Sequence, residues 1–252
     1  MSFLYHTFVY DPLYNGLIFL MDVLPWADAG VAIVIFTIIV KLVLFPLSKK
    51  AVTTQLKMRK IEPELAEIKK DYKDDRQGYA QKTLEIYKKN GVNPFASILL
   101  ILIQFPIIIA LYKVFVSGFA NINESILYSF VRVPEMINIH FLGLFDISGK
   151  SVVLAVLAGV SSFFQVKYSM PKPAAPTKGV EQMTKEERFK HDLTRTMSTQ
   201  MRFMLPILAF VVSWTVSGAI AVYWITSNIF TIVQELVIRR SVAREEVVVG
   251  SK

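Results

Sequence analysis

Long apolar runs alternate with charged stretches along this chain. Five apolar segments stand out: Gly30–Leu47, Pro94–Val116, Val152–Tyr168, Phe203–Val216 and Gly218–Ile238. Each approaches the roughly 17–25 residues that cross a hydrocarbon core as a helix, the fourth being short. The fourth and fifth meet at Ser217-Gly218 and read as a tight helical hairpin. Open strand edges find no hydrogen-bond partners in lipid, so the spans are expected to be helices. The predicted fold is an all-α polytopic membrane protein with five spans.

Polar segments give the remaining elements. In residues 11–25, Asp11, Asn15 and Asp22 share one helical face, which describes an amphipathic helix lying in the outer interface. The alternative is a connecting helix buried against the bundle. Residues 48–93 read as two cytoplasmic helices. One opens at Pro63 and runs to about Tyr72 with Leu65, Ile68 and Tyr72 along one face. The other covers Gln77–Lys89, with Ala80, Leu84 and Tyr87 at the same spacing and Tyr79 beside them. Two narrow apolar stripes predict an antiparallel hairpin, over 49–89, of modest stability. Loop 117–150 belongs at the outer interface, Pro171–Gly179 is a flexible linker, and Thr184–Gln200 is a charged helix leading into the fourth span. The expected organisation is an extracytoplasmic segment (1–28), a core (29–240) with a cytoplasmic loop at 169–199, and a short cytoplasmic tail (241–252).

Composition agrees with a membrane protein. The chain has 252 residues, 53% of them hydrophobic, and a mean hydropathy of +0.45. The formal charge of +8 is unevenly spread. Residues 1–40 hold no Lys or Arg, whereas 48–93 hold twelve against seven acidic residues, a net of +5. Residues 169–199 hold six, and Arg239, Arg240, Arg244 and Lys252 follow Ile238. With five spans, every strongly basic segment falls on one side, which the positive-inside rule makes cytoplasmic. The N-terminus is then outside and the C-terminus inside. The excess charge is mainly topological and implies no recognition of a nucleic acid sequence. The chain has no cysteine, which excludes disulfides and a lipid-modified cysteine. Its start lacks the basic n-region of a cleavable signal peptide.

One cation interrupts the first apolar run. Lys41 has no other charged residue among the ten before it or the six after it. Such a charge costs roughly 2.5–3.5 kcal/mol at mid-span and usually faces a polar cavity or partner. Lys41 is also about 10 Å of helical rise from Ser48, so snorkelling to the cytoplasmic surface is a second reading. Thr37 shares its face. Asn93, Ser97 and Gln104 line one face of the second span. Tyr223, Ser227, Thr231 and Gln234 line one side of the fifth, with Trp224, Asn228 and Glu235 beside them. Three polar stripes could enclose one hydrophilic cavity around Lys41. Singly, such residues are more often interhelical contacts. Lys113 and Glu235 lie near span ends and read as interfacial. His6, His140 and His191 lie outside the spans, no metal-ligand spacing occurs, and no Gly-rich phosphate loop is present, so catalysis, metals and cofactors find little support.

Several of these segments, in order, resemble the YidC family of membrane protein insertases, with its mitochondrial oxidase-assembly and chloroplast albino-type relatives. They are Phe36–Leu47, the hairpin, Asn93-Pro-Phe with Leu102–Tyr112, and Ser217–Asn228 followed by Gln234. The similarity covers roughly residues 11–240. It implies a groove open to cytoplasm and lipid and closed outside, with Lys41 where the family's characteristic arginine stands. Lysine keeps the charge but loses the planar fork that binds carboxylates in pairs. Thr37 and Gln104 match groove positions, and Tyr223 and Trp224 match aromatic positions that contact the substrate helix. The resemblance implies a short form, without the large periplasmic domain or a long basic tail. It further implies nascent membrane proteins as clients, the lipid bilayer and ribosome as partners, and links to a Sec-type translocon and the signal recognition particle pathway. The location implied is the bacterial inner membrane. A small channel or transporter using the same cavity, and a passive assembly chaperone, are the competing readings.

Overall fold

A computed structural model describes residues 2–73, 75–93, 106–110, 112–114, 122–169, 200 and 202–250, with only the backbone at 2 and 245–250. The chain forms two compact units: residues 1–40 with 110–233, and residues 41–109 with 234–252. The second expected span is described only at 106–110 and 112–114, which are helical. The linker at 171–179 and the charged helix at 184–199 lie outside the described residues.

In the first unit, α1 (Ser2–Tyr5) leads through a π-helical turn, His6–Tyr10, into α2 (Asp11–Val23). The polar face expected for α2 is not free: Asn15 is buried. Its Nδ2 donates to the carbonyls of Asp11 and Ile126, and its Oδ1 accepts from the Tyr128 amide. Asn123 N–H donates to the Tyr14 hydroxyl. These bonds meet the desolvation cost of the buried amide and fasten the segment around Ile126 and Tyr128 to α2. The helix is therefore held against protein along Tyr14, Leu17, Ile18 and Met21, as in the connecting-helix alternative.

The first span begins as α3 (Ala29–Val43), with Asp28 accepting from the Val31 amide as its N-cap. It ends four residues before the expected Leu47. The chain turns at Leu44 and restarts as α4 (Phe45–Asp71), the two axes meeting at 61°. Pro46 stands at the opening of α4, where a missing amide costs nothing.

The segment before the next long helix contains a feature not expected of an all-α fold. β1 (His140–Phe141) pairs antiparallel with β2 (Phe145–Asp146). Both Leu142 and Gly143 have positive φ in the connecting turn. Phe141 packs so closely over Gly30 that a β-carbon there would lie 2.3 Å from its ring.

Three further helices follow: α6 (Val152–Ser169), α7 (Arg202–Thr215) and α8 (Gly218–Gly250). Gly159 lets α6 approach α7, its absent β-carbon facing Phe210 Cβ and the Pro206 carbonyl at 3.3 Å. Close approach of backbones through small residues is the usual way helices associate in lipid. The first amides of α8 are satisfied by the segment before α6: Gly218 N–H donates to the Gly149 carbonyl and Ala219 N–H to that of Ile147. Among the described residues, α6 and Gly218–Arg244 are each long and apolar enough to cross a membrane, and the bent α3–α4 pair is a third such segment. α7 is a shorter apolar helix.

The second unit contains the hairpin. Pro63 does not open its first arm; α4 runs through it, leaving the Arg59 carbonyl without its usual helical donor. The second arm is α5 (Arg76–Lys89), capped by Asp75, whose Oδ1 accepts from the amides of Gln77 and Gly78. Ile61, Ile86 and Val92 form the buried cluster, flanked by Met58, Leu65, Ile68 and Tyr87. Leu65, Ile68 and Tyr87 were expected there. Ala80 and Leu84 were expected too, yet both are exposed, while Tyr72 and Tyr79 are half-buried. The inward stripe of α5 is Tyr79, Thr83, Ile86 and Tyr87, because the Tyr72 ring lies against Gly78 and fixes the rotation of the helix. At the far end, Gly91 adopts φ +58°, with Val92 N–H donating to the Tyr87 carbonyl and Gly91 N–H to that of Lys88. That Schellman closure folds Val92 back onto the cluster.

Candidate functional site

Of the three polar stripes expected around Lys41, those on the first and last spans fall among the described residues. On α3, Thr37 is buried and its hydroxyl donates to the Ile33 carbonyl at 2.6 Å, which satisfies it within its own helix. Lys41 lies one helical turn further, half-buried, three residues before the turn at Leu44. Ser97 and Gln104 lie outside the described residues.

α8 carries the longest polar stripe. Tyr223, Ser227, Asn228, Gln234 and Glu235 are all buried, and Trp224 and Thr231 are half-buried. Ile229, Val233, Leu236 and Val237 on the other side are exposed. In water such a helix would turn the other way. In lipid, apolar side chains cost nothing outside and the polar ones are kept among protein groups.

Two parts of that stripe have partners that sequence reading missed. Asn228 Nδ2 donates to Ser161 Oγ at 3.0 Å and to Ser162 Oγ at 3.2 Å, linking α8 to α6. The adjacent Ser161-Ser162 pair, close to Gly159 in an apolar run, was the available signal. Glu235, expected near a span end, is buried, and its Oε1 accepts from Arg239 Nη2 at 2.5 Å. In the same unit Arg59 of α4 feels both charges. Burial lowers its pKa most, then Arg239, while Glu235 and Glu62 act in the opposite direction. Arg59 Nε and Nη2 are buried with no hydrogen-bond partner among the described residues. Glu235 is thus a buried carboxylate paired with Arg239 and felt electrostatically by Arg59. Lys113, also expected to be interfacial, is exposed and stands 5.4 Å from the centre of the Tyr5 ring and 5.9 Å from that of Tyr10.

Among the described residues, no group of three or more His, Asp or Glu side chains could hold a metal ion. The arrangement offers polar side chains inside apolar spans, a cation near the bend of the first, and a charged helical hairpin beyond it.

Fold and site together define a helical membrane protein that keeps most of the polar stripe of its last helix buried. The chain belongs to the family described as 60Kd inner membrane protein, whose model matches residues 20–245. It is similar to proteins named Membrane protein insertase YidC in several bacteria. That of Oceanobacillus iheyensis is 33% identical over 218 residues, 84% of this chain and 74% of the relative. That of Clostridium tetani is 29% identical over 217 residues, 86% of this chain and 84% of the relative. That of Francisella tularensis subsp. novicida is 31% identical over 236 residues, covering 90% of this chain but only 37% of that longer protein.

Proposed function

We propose that the chain acts as a membrane protein insertase by receiving polar or acidic segments of nascent membrane proteins in a positively charged hydrophilic groove. The insertase activity rests on family membership and on relatives that carry that name. It is not an enzymatic activity. Its substrates are nascent membrane proteins, and its site of action is the bacterial inner membrane.

The observation that most favours a groove is the burial of the α8 stripe from Tyr223 to Glu235, with apolar residues on the reverse side. In this reading Thr37, Ser97, Gln104, Ser227 and Asn228 supply polar surface and Lys41 supplies the charge. The five expected spans surround it, open to cytoplasm and lipid. An acidic segment entering a hydrated, cationic pocket has less low-dielectric distance to cross, and its barrier falls. The hydrophobic helix then leaves sideways past Tyr223 and Trp224 into the bilayer, driven by removal of apolar surface from water. A final role as assembly chaperone follows if the helix lingers there.

The N-terminus lies outside and the C-terminus in the cytoplasm, which puts the basic α4–α5 hairpin on the ribosome's side. Its apolar residues Leu65, Ile68, Tyr72, Tyr79, Leu84 and Tyr87 then serve as an early contact for the emerging chain. Exposed Leu84 is the readiest of them. Ribosome binding, a Sec-type translocon and the signal recognition particle pathway are partners of this reading. Site-specific photo-crosslinking from positions 37, 104 and 223 to a stalled nascent chain tests it. Adducts at all three support a groove, and adducts only from lipid-facing positions such as 229 would overturn it.

A further inference from the structure

The outer turn at Leu142 carries a residue that its backbone does not favour. A left-handed conformation brings a β-carbon against the following carbonyl, so turns with two positive φ values normally take Asn or Gly at both positions. Here Gly143 (φ +70°) obeys that rule and Leu142 (φ +53°) does not. Leu142 also gains no burial inside the protein, because it is 62% exposed. Leu144 in the same turn, and Met136 and Trp26 elsewhere in the unit, are bare too, at 75, 91 and 74% exposed.

The turn is nonetheless firmly placed. Asp28 Oδ2 accepts from the Leu142 amide at 2.9 Å while Oδ1 accepts from Val31 N–H, so one carboxylate caps α3 and holds the turn. Ala29 N–H donates to the Asn138 carbonyl, and Gly218 N–H to that of Gly149. The loop is therefore bound to the first residues of two membrane-crossing helices. The exposed apolar face of α6, Val152, Val153 and Val156, starts directly after it.

We propose that the Leu142–Leu144 turn is a lipid-inserted anchor, seated in the acyl region of the leaflet at the N-terminal ends of α3 and α8. A water-exposed tip would gain nothing from leucine at a left-handed position, whereas acyl chains accept it and continue the apolar surface of α6. The anchor fixes the depth of the helix ends that frame the closed side of the protein, while substrate enters from the other. Which leaflet this is follows from the orientation proposed above; contact with lipid does not depend on it.

The chain lacks cysteine, so single nitroxide labels can be placed at Leu142→Cys and Leu144→Cys in full-length protein reconstituted in phosphatidylcholine–phosphatidylglycerol vesicles. Labels at Val156→Cys and Lys150→Cys provide lipid and water references. Collision with oxygen is expected to exceed collision with a water-soluble nickel chelate at 142 and 144, by a ratio close to that at 156. A ratio like that at 150 at both positions would overturn the anchor. So would dipolar broadening that grows with the protein-to-lipid ratio, since it would mean that a second copy covers the turn. The label at 144 answers the question even if substitution at 142 disturbs the turn.

Discussion

Asn228 of α8 reaches across to Ser161 and Ser162 of α6, donating one amide group to two hydroxyl oxygens at 3.0 and 3.2 Å. The amide is buried, and in a membrane no water waits to replace a lost partner. Asn228→Leu removes both bonds, leaving Ser161 still donating to the Ala158 carbonyl and Ser162 without this donor. The expected loss is about 0.6–1.7 kcal/mol, the range for interhelical hydrogen bonds in membranes. Unfolding of detergent-solubilised protein, titrated with a denaturing detergent, measures it. Ser161→Ala alone should cost less, because Ser162 remains.

Glu235 serves two guanidinium groups, pairing with Arg239 and sharing the surroundings of Arg59. Glu235→Gln keeps the shape and removes the charge, leaving two cations facing each other. Breaking a fully buried pair costs about 3–5 kcal/mol. Arg239 is about one third exposed, so the expected loss is nearer ~2 kcal/mol. Adding Arg239→Gln should restore part of it. Thermal unfolding of the single and double variants provides the comparison, and an additive double variant would mean that the two side chains do not depend on each other.

The hairpin separates two neighbouring leucine-sized residues sharply. Ile86 is buried against Ile61 and Val92, whereas Leu84 is exposed. Ile86→Ala should cost the hairpin roughly 2 kcal/mol or more, and Leu84→Ala less than about 0.5 kcal/mol. Hydrogen exchange of the α4–α5 amides reads the difference. If Leu84 is instead a contact for the nascent chain, its substitution lowers crosslinking yield while leaving exchange unchanged.

What the sequence made legible was set by periodicity over long runs. The polar stripe of α8 and the interrupting charge of Lys41 were visible, because one mismatched residue in an apolar run has few physical explanations. Boundaries were less visible. Leu44 ends α3 although the apolar run continues to Leu47, since Pro46 suits a helix start as well as a helix interior break. Pro63 showed the reverse: it resembles a start but sits within a charged helix that continues on both sides. In α5, Leu84 and Ile86 are equally apolar, and only the contact of Tyr72 with Gly78 decides which turns inward. Nothing in the residues 140–146 alternates clearly enough to announce a β-hairpin, and Leu142 argues against its own turn. The partners of Asn15 stand more than a hundred positions away, beyond any local pattern.

In the proposed mechanism Lys41, the cation of the first span, acts on acidic segments of the incoming chain. The most direct measurement is the insertion rate of one substrate series, differing only in the charge of its N-terminal tail, into vesicles holding either the unaltered protein or Lys41→Ala. Lys41→Ala is expected to slow acidic tails several-fold and leave neutral tails nearly unchanged, with Lys41→Arg largely restoring the rate. Equal slowing across the series, or none at all, would contradict it.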